Sequence, residues 1–452
     1  MVLSAIWLLG LPGDWLLDDF SLLDGSFPSL LRPLTYLTFW LNFETTGPIP
    51  WAYRLTNILL HAIAVQYCYR TLKRIVGEQR ALLAAALFAV HPLQSDAVLY
   101  VFSRPTVLMG LFLWVALDCW LAGKHKWSIL SFTLALASKE EAIAFPLVLV
   151  LLHLSISRNS REWRPIGIMF ALATATGAFA VFANRAIGGS GAGSQSGVSA
   201  LDYLATQPAV ISWYLAQLLI PQFPGMRWQV DLWPQWGILF WLLPLALAII
   251  ARQYFTRAQP LFWLLAGLAV LLPSSSIFPI ADLAASRRMY LAIPLFVLAV
   301  PITTPRWLPA IALLYAAISA NWATILYRDP AQLWKTTMAL QPANIEPILQ
   351  YCKYISPAEA LRALEQQAFP QSPAYHRELG RIYLELGKPV NALGAFGRTL
   401  GLEPGIASNV HNRGVALKAL GQHEAAEADF KRALEIDPNH APARKALATP
   451  SK

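Results

Sequence analysis

Between Tyr53 and Ile325 the chain is a succession of apolar runs, most of them about 10 to 20 residues long, with short loops between them that hold the charges. A run of about 20 apolar residues can cross the hydrocarbon of a bilayer, and a helix does so with every backbone group bonded internally. The composition is 56% hydrophobic and 13% charged, where a soluble domain carries about 25% charged residues. An all-α polytopic membrane protein is therefore expected. The net charge of +9 is not read as a nucleic-acid footprint, because many of the cations sit in the short loops, where they set orientation. Cys68, Cys119 and Cys352 are too few and too scattered for a disulfide framework or a zinc site and read as packing residues.

The basic loops order the runs. Arg70, Lys73, Arg74 and Arg80 follow the run from Tyr53 to Leu72, which places them in the cytoplasm by the positive-inside rule. Runs then alternate: Lys124 and Lys126, Arg158, Arg161 and Arg164, Arg252 and Arg257, and Arg306 fall inside, whereas His91 to Asp96, Ser138 to Glu141, Gly188 to Ser194 and Pro273 to Ser276 fall outside. Pro208 to Ile220 is too short for a span and is expected to be a re-entrant or interfacial helix. Met1 to Pro12 is about half a span long, a shortened anchor or the product of a late start codon, with no cleavable basic signal visible. About eleven spans result.

From about Leu333 the apolar runs stop and a period of 34 residues takes over: Gly380 and Gly414, Gly387 and Gly421, Ala392 and Ala426, Phe396 and Phe430, Pro404 and Pro438. This is the tetratricopeptide pattern of paired helices, with small residues at their crossing and Pro after the second. Pro370 lies one period earlier, so Asn344 to Ser372 is expected to be a degenerate first repeat. The expected division is a transmembrane domain over 1–328 and an α-solenoid of about three repeats over 329–452, with a concave face for a peptide or a partner protein.

Asp18 and Asp19 lie beside an apolar run, where a buried carboxylate costs roughly 2.5–3.5 kcal/mol at a helix centre. They are expected at an interface or in a wet cavity, and further His, Asp, Glu, Lys and Arg residues recur at the ends of later runs.

In order, the chain carries Asp18-Asp19, Arg32-Pro33-Leu34-Thr35, Asn57-Ile58-Leu59-Leu60-His61-Ala62, His91-Pro92, Ser95-Asp96-Ala97-Val98, Arg104, Ser138-Lys139-Glu140, Arg288-Met289-Tyr290-Leu291 and Leu333-Trp334. With the repeat tail, this order resembles the TMTC-type family, membrane O-mannosyltransferases of the GT-C fold with C-terminal tetratricopeptide repeats and bacterial relatives. The family usually has Glu where this chain has Asp96, and a non-acidic residue where it has Glu141. The resemblance implies a GT-C transmembrane domain that takes a polyprenyl-phosphate sugar as donor. It further implies an outer-side hydroxyl acceptor, a protein Ser or Thr, and residence in a bacterial inner membrane with site and repeats on the periplasmic face.

Transfer of a sugar from a lipid phosphate to a hydroxyl needs a carboxylate to take the acceptor proton and cations to stabilise the departing phosphate. Asp18 is the candidate base, with Asp19 close behind. Arg104, Lys139 and Arg288 are candidate phosphate partners, suited by charge and, for Arg, by bidentate contact; interfacial snorkelling is the alternative for Arg104 and Lys139. His91 and Asp96 are candidates to orient one another or a substrate hydroxyl, with loop capping the equal alternative for the pair. Glu140 either holds Lys139 or contacts sugar, and Glu141 and the Tyr290 of the Arg-x-Tyr-Leu match complete the candidate set. No tight metal-ligand spacing is present, so no obligate metal is expected, a divalent ion on the His, Asp and Glu residues being the alternative. One base without a carboxylate nucleophile implies inversion at the anomeric carbon. The expected partners are the lipid-linked donor, membrane lipids and an acceptor or partner protein on the repeats. A transferase acting on glycan or lipid, and a transporter or scaffold using the repeats for recruitment, are the competing readings.

Overall fold

A computed structural model describes residues 2–23, 31–157, 162–187, 198–220, 225–226, 229–242, 259–276, 279–280, 282–300 and 307–448. The chain divides into two compact units, Met1–Pro330 and Ala331–Lys452. All regular elements among the described residues are helical.

The first unit contains α1 (Pro33–Thr46), α2 (Pro50–Val76), α3 (Glu78–Val90), α4 (Ser95–Leu99), α5 (Arg104–Leu121), α6 (His125–Ser138), α7 (Phe145–Leu152), α8 (Trp163–Ile187), α9 (Ala200–Leu219), α10 (Gln259–Leu271), α11 (Ala292–Ala299) and α12 (Trp307–Arg328). Proline opens α1, α2, α5 and α7, where its fixed φ suits the first turn and its missing N–H leaves no bond unmade. The central helix is α5, packed against α2 and α6. In its apolar span 83% of residues are buried, against 22% in α8 and 33% in α12. Its face is enclosed by protein, and theirs turn large apolar side chains such as Phe179, Ile311 and Leu314 outward.

Three helices are long and apolar enough to cross a membrane, and a fourth span results if the pair α3 and α4, bent by 52°, is counted as one. That count rests on helix length and composition among the described residues and does not test the expectation of about eleven spans. Three differences from the sequence expectation have local causes. Met1 to Pro12 gives a 3₁₀ helix, Val2–Gly10, held where Trp7 Nε1 donates to Ala89 O at 2.8 Å. The His91 to Asp96 stretch is not a surface loop: Pro92 breaks α3, the 3₁₀ turn Pro92–Gln94 follows, and Pro92, Leu93, Gln94 and Ser95 are buried. Pro208 to Ile220 is only the second part of α9, whose 20 residues begin at Ala200 after Ser199 caps its N-terminus by accepting from Asp202 N. Helix length therefore no longer argues against a crossing, although α9 is not among the helices apolar enough for one. The Gly188 to Ser194 loop, most of the Ile238 to Ile250 run, and Arg158, Arg161, Arg252, Arg257 and Arg306 lie outside the described residues.

In the second unit, Pro373–Glu385 pairs with Pro389–Leu402, and Ala407–Ala419 with His423–Ile436. A Cβ at Gly380 would strike the Phe396 ring, and one at Gly414 the Phe430 ring. The period of 34 thus repeats one contact, a bare helix backbone against an aromatic. Gly387 and Gly421 turn between the paired helices with φ of 67° and 75°, a left-handed conformation that costs a side-chain-bearing residue about 1–2 kcal/mol. The stretch expected to be a degenerate repeat holds a shorter helix pair, Glu346–Tyr351 and Pro357–Gln366, the latter opened by a Ser356–Glu359 capping box. Its Ile348 and Leu364 are buried in one core with Leu379 and Ile382 of the next helix. Cys68, Cys119 and Cys352 are free thiols.

Candidate active site

Five segments meet at one end of α5: Gly13 to Leu22, Tyr100 to Arg104, Arg32 to Tyr36, Lys139 to Glu141 and Asp282 to Arg288. At its other end Asp118 pairs with Arg70 at 3.2 Å and Arg74 at 3.3 Å, residues expected inside. The two sets of residues lie at opposite ends of α5.

Asp18 and Asp19 are adjacent and differ in every respect that matters chemically. Leu17 has φ of 47°, the left-handed region in which a leucine is strained. It turns the chain into the 3₁₀ helix Leu17–Leu22, leaving Asp18 exposed and Asp19 fully buried. Asp19 accepts from Leu16 N at 3.1 Å and Phe102 N at 2.8 Å. Burial pushes its carboxyl up to about 7 against those two hydrogen bonds and the charge of Arg54. It fastens the acidic segment to the Tyr100 to Arg104 segment. Asp18 presents its carboxylate, which accepts from the Tyr100 hydroxyl at 3.0 Å, and that hydroxyl accepts from Asp18 N at 3.2 Å.

Cations lie on two sides. Arg32 grips Glu140 in a fork, Nε to Oε2 at 2.9 Å and Nη2 to Oε1 at 2.6 Å. Burial would raise the Glu140 carboxyl, yet the charge and hydrogen bonds of Arg32 hold it down to about 2. Thr35 Oγ1 donates to Ser138 O at 2.9 Å, clamping the same two segments. Lys139 is buried, bonded to Thr106 Oγ1 at 3.0 Å and paired with Glu141 at 2.8 Å. Burial lowers its ammonium pKa against the Glu141 charge, and Arg32 and Arg287 are both close enough to lower it further. Arg287 reaches Asp96 at 3.4 Å and Asp282 at 2.8 Å, and its charge acts on the Tyr100 phenol. The Tyr36 phenol feels Arg32, Asp18 and Glu140 together. The charges of Asp18 and Arg32 thus both act on the Tyr36 phenol, and those of Asp18 and Arg287 on the Tyr100 phenol.

The remaining candidates fall elsewhere. Arg104 is fully buried, donating to Asn57 Oδ1 at 2.7 Å, Thr38 O at 3.0 Å and Tyr53 O at 3.0 Å, and lying 4.4 Å from the Phe39 ring centre. An arginine so enclosed holds its own segment: Asn57 in turn donates toward Tyr100 O and Val101 O. Arg288 donates to Leu283 O at 2.9 Å and to Asp282 O, so Arg287 and not Arg288 meets Asp96. Tyr290 is a core residue, its hydroxyl 2.8 Å from His61 Nδ1 and its ring against Gly110. His91 is buried and accepts from Leu93 N at 3.2 Å, the capping role. Tyr100, Arg32, Tyr36 and Arg287 escaped the sequence reading as site residues. Arg32 lay in a quoted motif and Arg287 beside one; only contact reveals Tyr100. Among the described residues no three His, Cys, Asp or Glu side chains gather as metal ligands.

Residues 31–186 match the model of the dolichyl-phosphate-mannose-protein mannosyltransferase family, and residues 411–440 that of the tetratricopeptide repeat. The chain is 37% identical over 95 residues to the mouse protein O-mannosyl-transferase TMTC2, which is 21% of this chain and 11% of that protein. Mouse TMTC3 is 28% identical over 131 residues, 29% of this chain and 13% of that one. Drosophila melanogaster Tmtc1 is 40% identical over 68 residues, 15% and 8%. The matches thus span only about a tenth of the length of these curated relatives. Among solved structures, ArnT from Cupriavidus metallidurans bound to undecaprenyl phosphate aligns over 95% of this chain and 78% of its own, at 14% identity and a TM-score of 0.39.

Proposed function

On the premise that residues 31–186 belong to the dolichyl-phosphate-mannose-protein mannosyltransferase family, we propose that the chain is an integral membrane glycosyltransferase. It moves mannose or another hexose from a polyprenyl phosphate to a hydroxyl, a protein Ser or Thr, on the extracytoplasmic side. The observation that supports this reading is the exposed Asp18 carboxylate, which accepts from the Tyr100 hydroxyl, a phenol that the charge of Arg287 also reaches. Asp18 takes the proton of the acceptor hydroxyl as its oxygen attacks the anomeric carbon. The bond from that carbon to the phosphate oxygen breaks, and Arg32, Lys139 and Arg287 stabilise the negative charge left on the polyprenyl phosphate. Asp96, Glu140 and Glu141 are each paired with a cation; with Asp18 as the single base and no carboxylate acting as nucleophile, the configuration inverts. The reaction needs no obligate metal on this reading, and the repeats bind the acceptor or a partner protein.

The test is sugar transfer by the purified full-length protein from polyprenyl-phosphate mannose or glucose to a Ser/Thr peptide, with Asp18→Asn alongside. Positioned acid–base catalysis contributes about 10²–10⁴ in rate, so that variant should lose at least a hundredfold while still binding polyprenyl phosphate. Near-normal turnover by Asp18→Asn would remove the proposed base.

A further inference from the structure

Gln207 is fully buried, and neither its amide oxygen nor its amide nitrogen has a hydrogen-bond partner. It stands on α9 in line with Tyr203, Val210 and Tyr214, the spacing of a single helix face. That face is fixed at both ends by phenols. Tyr203 donates to Ser274 O at 2.5 Å, and Tyr214 donates to Ala285 O at 3.1 Å while accepting from Ala285 N at 2.9 Å. Val210 packs between them with Leu271 and Ala284. Arg288 lies close enough to both phenols to act on them electrostatically, and Glu141 acts on Tyr203. Gln207 therefore stands on the α9 face that packs against the Ser274 to Arg288 segment, the segment that also carries Arg287 of the candidate site. Ser275, next to the carbonyl that Tyr203 holds, is buried with its hydroxyl also unpartnered.

A buried amide with both ends unpaired weakens a fold that Leu or Met of similar volume would not. Its chemistry states what would pair it: one acceptor and one donor group side by side, joined by a hydroxyl able to do either. An anion would use only the donor, and a cation only the acceptor. Adjacent hydroxyls of a neutral sugar ring use both. We propose that Gln207 and Ser275, bracketed by Tyr203, Tyr214 and Arg288, form the subsite for the hydroxyl-bearing face of the donor sugar and set which hexose is accepted. The inference rests on the glycosyltransferase reading and adds to it the residues that read the sugar.

Gln207→Leu and Ser275→Ala separate this role from a structural one, because both remove orphaned polar atoms and should leave the unfolding temperature equal or higher. The measurements are kcat/KM with polyprenyl-phosphate mannose and with polyprenyl-phosphate glucose, and binding of sugar-free polyprenyl phosphate. A site built to bond a hydroxyl discriminates strongly against its loss or displacement. Each variant should bind the bare lipid phosphate as the wild type does, lose about tenfold in kcat/KM with the preferred donor, and narrow the preference between the two hexoses. Should Gln207→Leu fail to fold, Ser275→Ala carries the same comparison. Wild-type transfer with an unchanged preference and unchanged kcat/KM in the folded variants overturns this inference alone. No transfer by the wild type from either donor overturns the glycosyltransferase reading, and this inference with it.

Discussion

The Tyr100 hydroxyl donates to Asp18 Oδ2 at 3.0 Å and accepts from the N–H of the same residue at 3.2 Å. One phenol thereby fixes both the carboxylate and the backbone of the candidate base. Tyr100 is 3% exposed, so Tyr100→Phe fills the same space. A hydrogen bond to a charged group contributes about 1.5–3 kcal/mol, and the exposure of Asp18 argues for the lower end. In a transfer assay kcat should fall about tenfold with the donor KM unchanged, since the phenol positions the base and does not hold the phosphate. An unchanged kcat, or a loss confined to KM, would show that Asp18 is oriented without it.

The sequence made part of this site legible and hid the rest for identifiable reasons. Asp18 stood out because a carboxylate beside an apolar run must be solvated or used, and that argument needs no neighbours. It put Asp18 ahead of Asp19 without a physical reason, because the division comes from one backbone angle, the left-handed Leu17. It chose Arg104 and Arg288 over Arg32 and Arg287 because charge and motif position are visible in a string, whereas enclosure by Asn57, Thr38 and Tyr53 is not. The repeats were read almost residue by residue, since Gly380 with Phe396 and Gly414 with Phe430 are local contacts at a fixed offset. The membrane unit is the opposite case: its contacts, such as Arg32 with Glu140, join segments 108 residues apart.

Asp19 makes stability pH-dependent with a definite sign. Its carboxyl titrates near 7 in the folded chain against an ordinary value of 3.8. The folded state then holds the proton more tightly, and the protein loses stability as pH rises from about 4 to about 7, with no further change above that. Asp19→Asn should flatten the unfolding-temperature profile across this interval, by an amount on the order of a few kcal/mol. A wild-type midpoint that rises between pH 4 and 7, with the variant rising in parallel, would place the controlling carboxylate elsewhere.

The repeat glycines divide into two classes that one substitution distinguishes. Gly380→Ala and Gly414→Ala drive a methyl group into the Phe396 and Phe430 rings and should each destabilise the solenoid by about 1–3 kcal/mol. Gly394, inside the helix Pro389–Leu402, has nothing within 4 Å of where a Cβ would stand. There Ala should stabilise by about 0.5–1 kcal/mol through the unfolded chain and helix propensity. Thermal unfolding of the full chain, followed at the transition of the repeats, reads all three. Equal effects at Gly380 and Gly394 would mean that the helix pairs do not cross at the glycine.

Arg104→Ala should behave as a folding variant and not as a donor-binding variant. The guanidinium bonds Asn57, Thr38 and Tyr53, stands over the Phe39 ring and is fully buried. Its removal leaves buried acceptors unpaired and opens a hole beneath the Tyr100 to Ser103 segment, for which about 3–5 kcal/mol is the expected loss. Asn57 would then no longer be held while donating toward Tyr100 O and Val101 O, so the Tyr100 phenol and Phe102 N would shift beneath Asp18 and Asp19. Arg104→Lys keeps the charge but supplies no planar fork to reach three carbonyl-type acceptors, and it should recover little of the loss. Two readouts decide: the unfolding temperature, and polyprenyl phosphate binding by whatever fraction remains folded. A large fall in unfolding temperature with normal lipid-phosphate affinity in the folded fraction makes Arg104 the support of the Asp18 platform. Normal stability with weakened binding would return it to the phosphate.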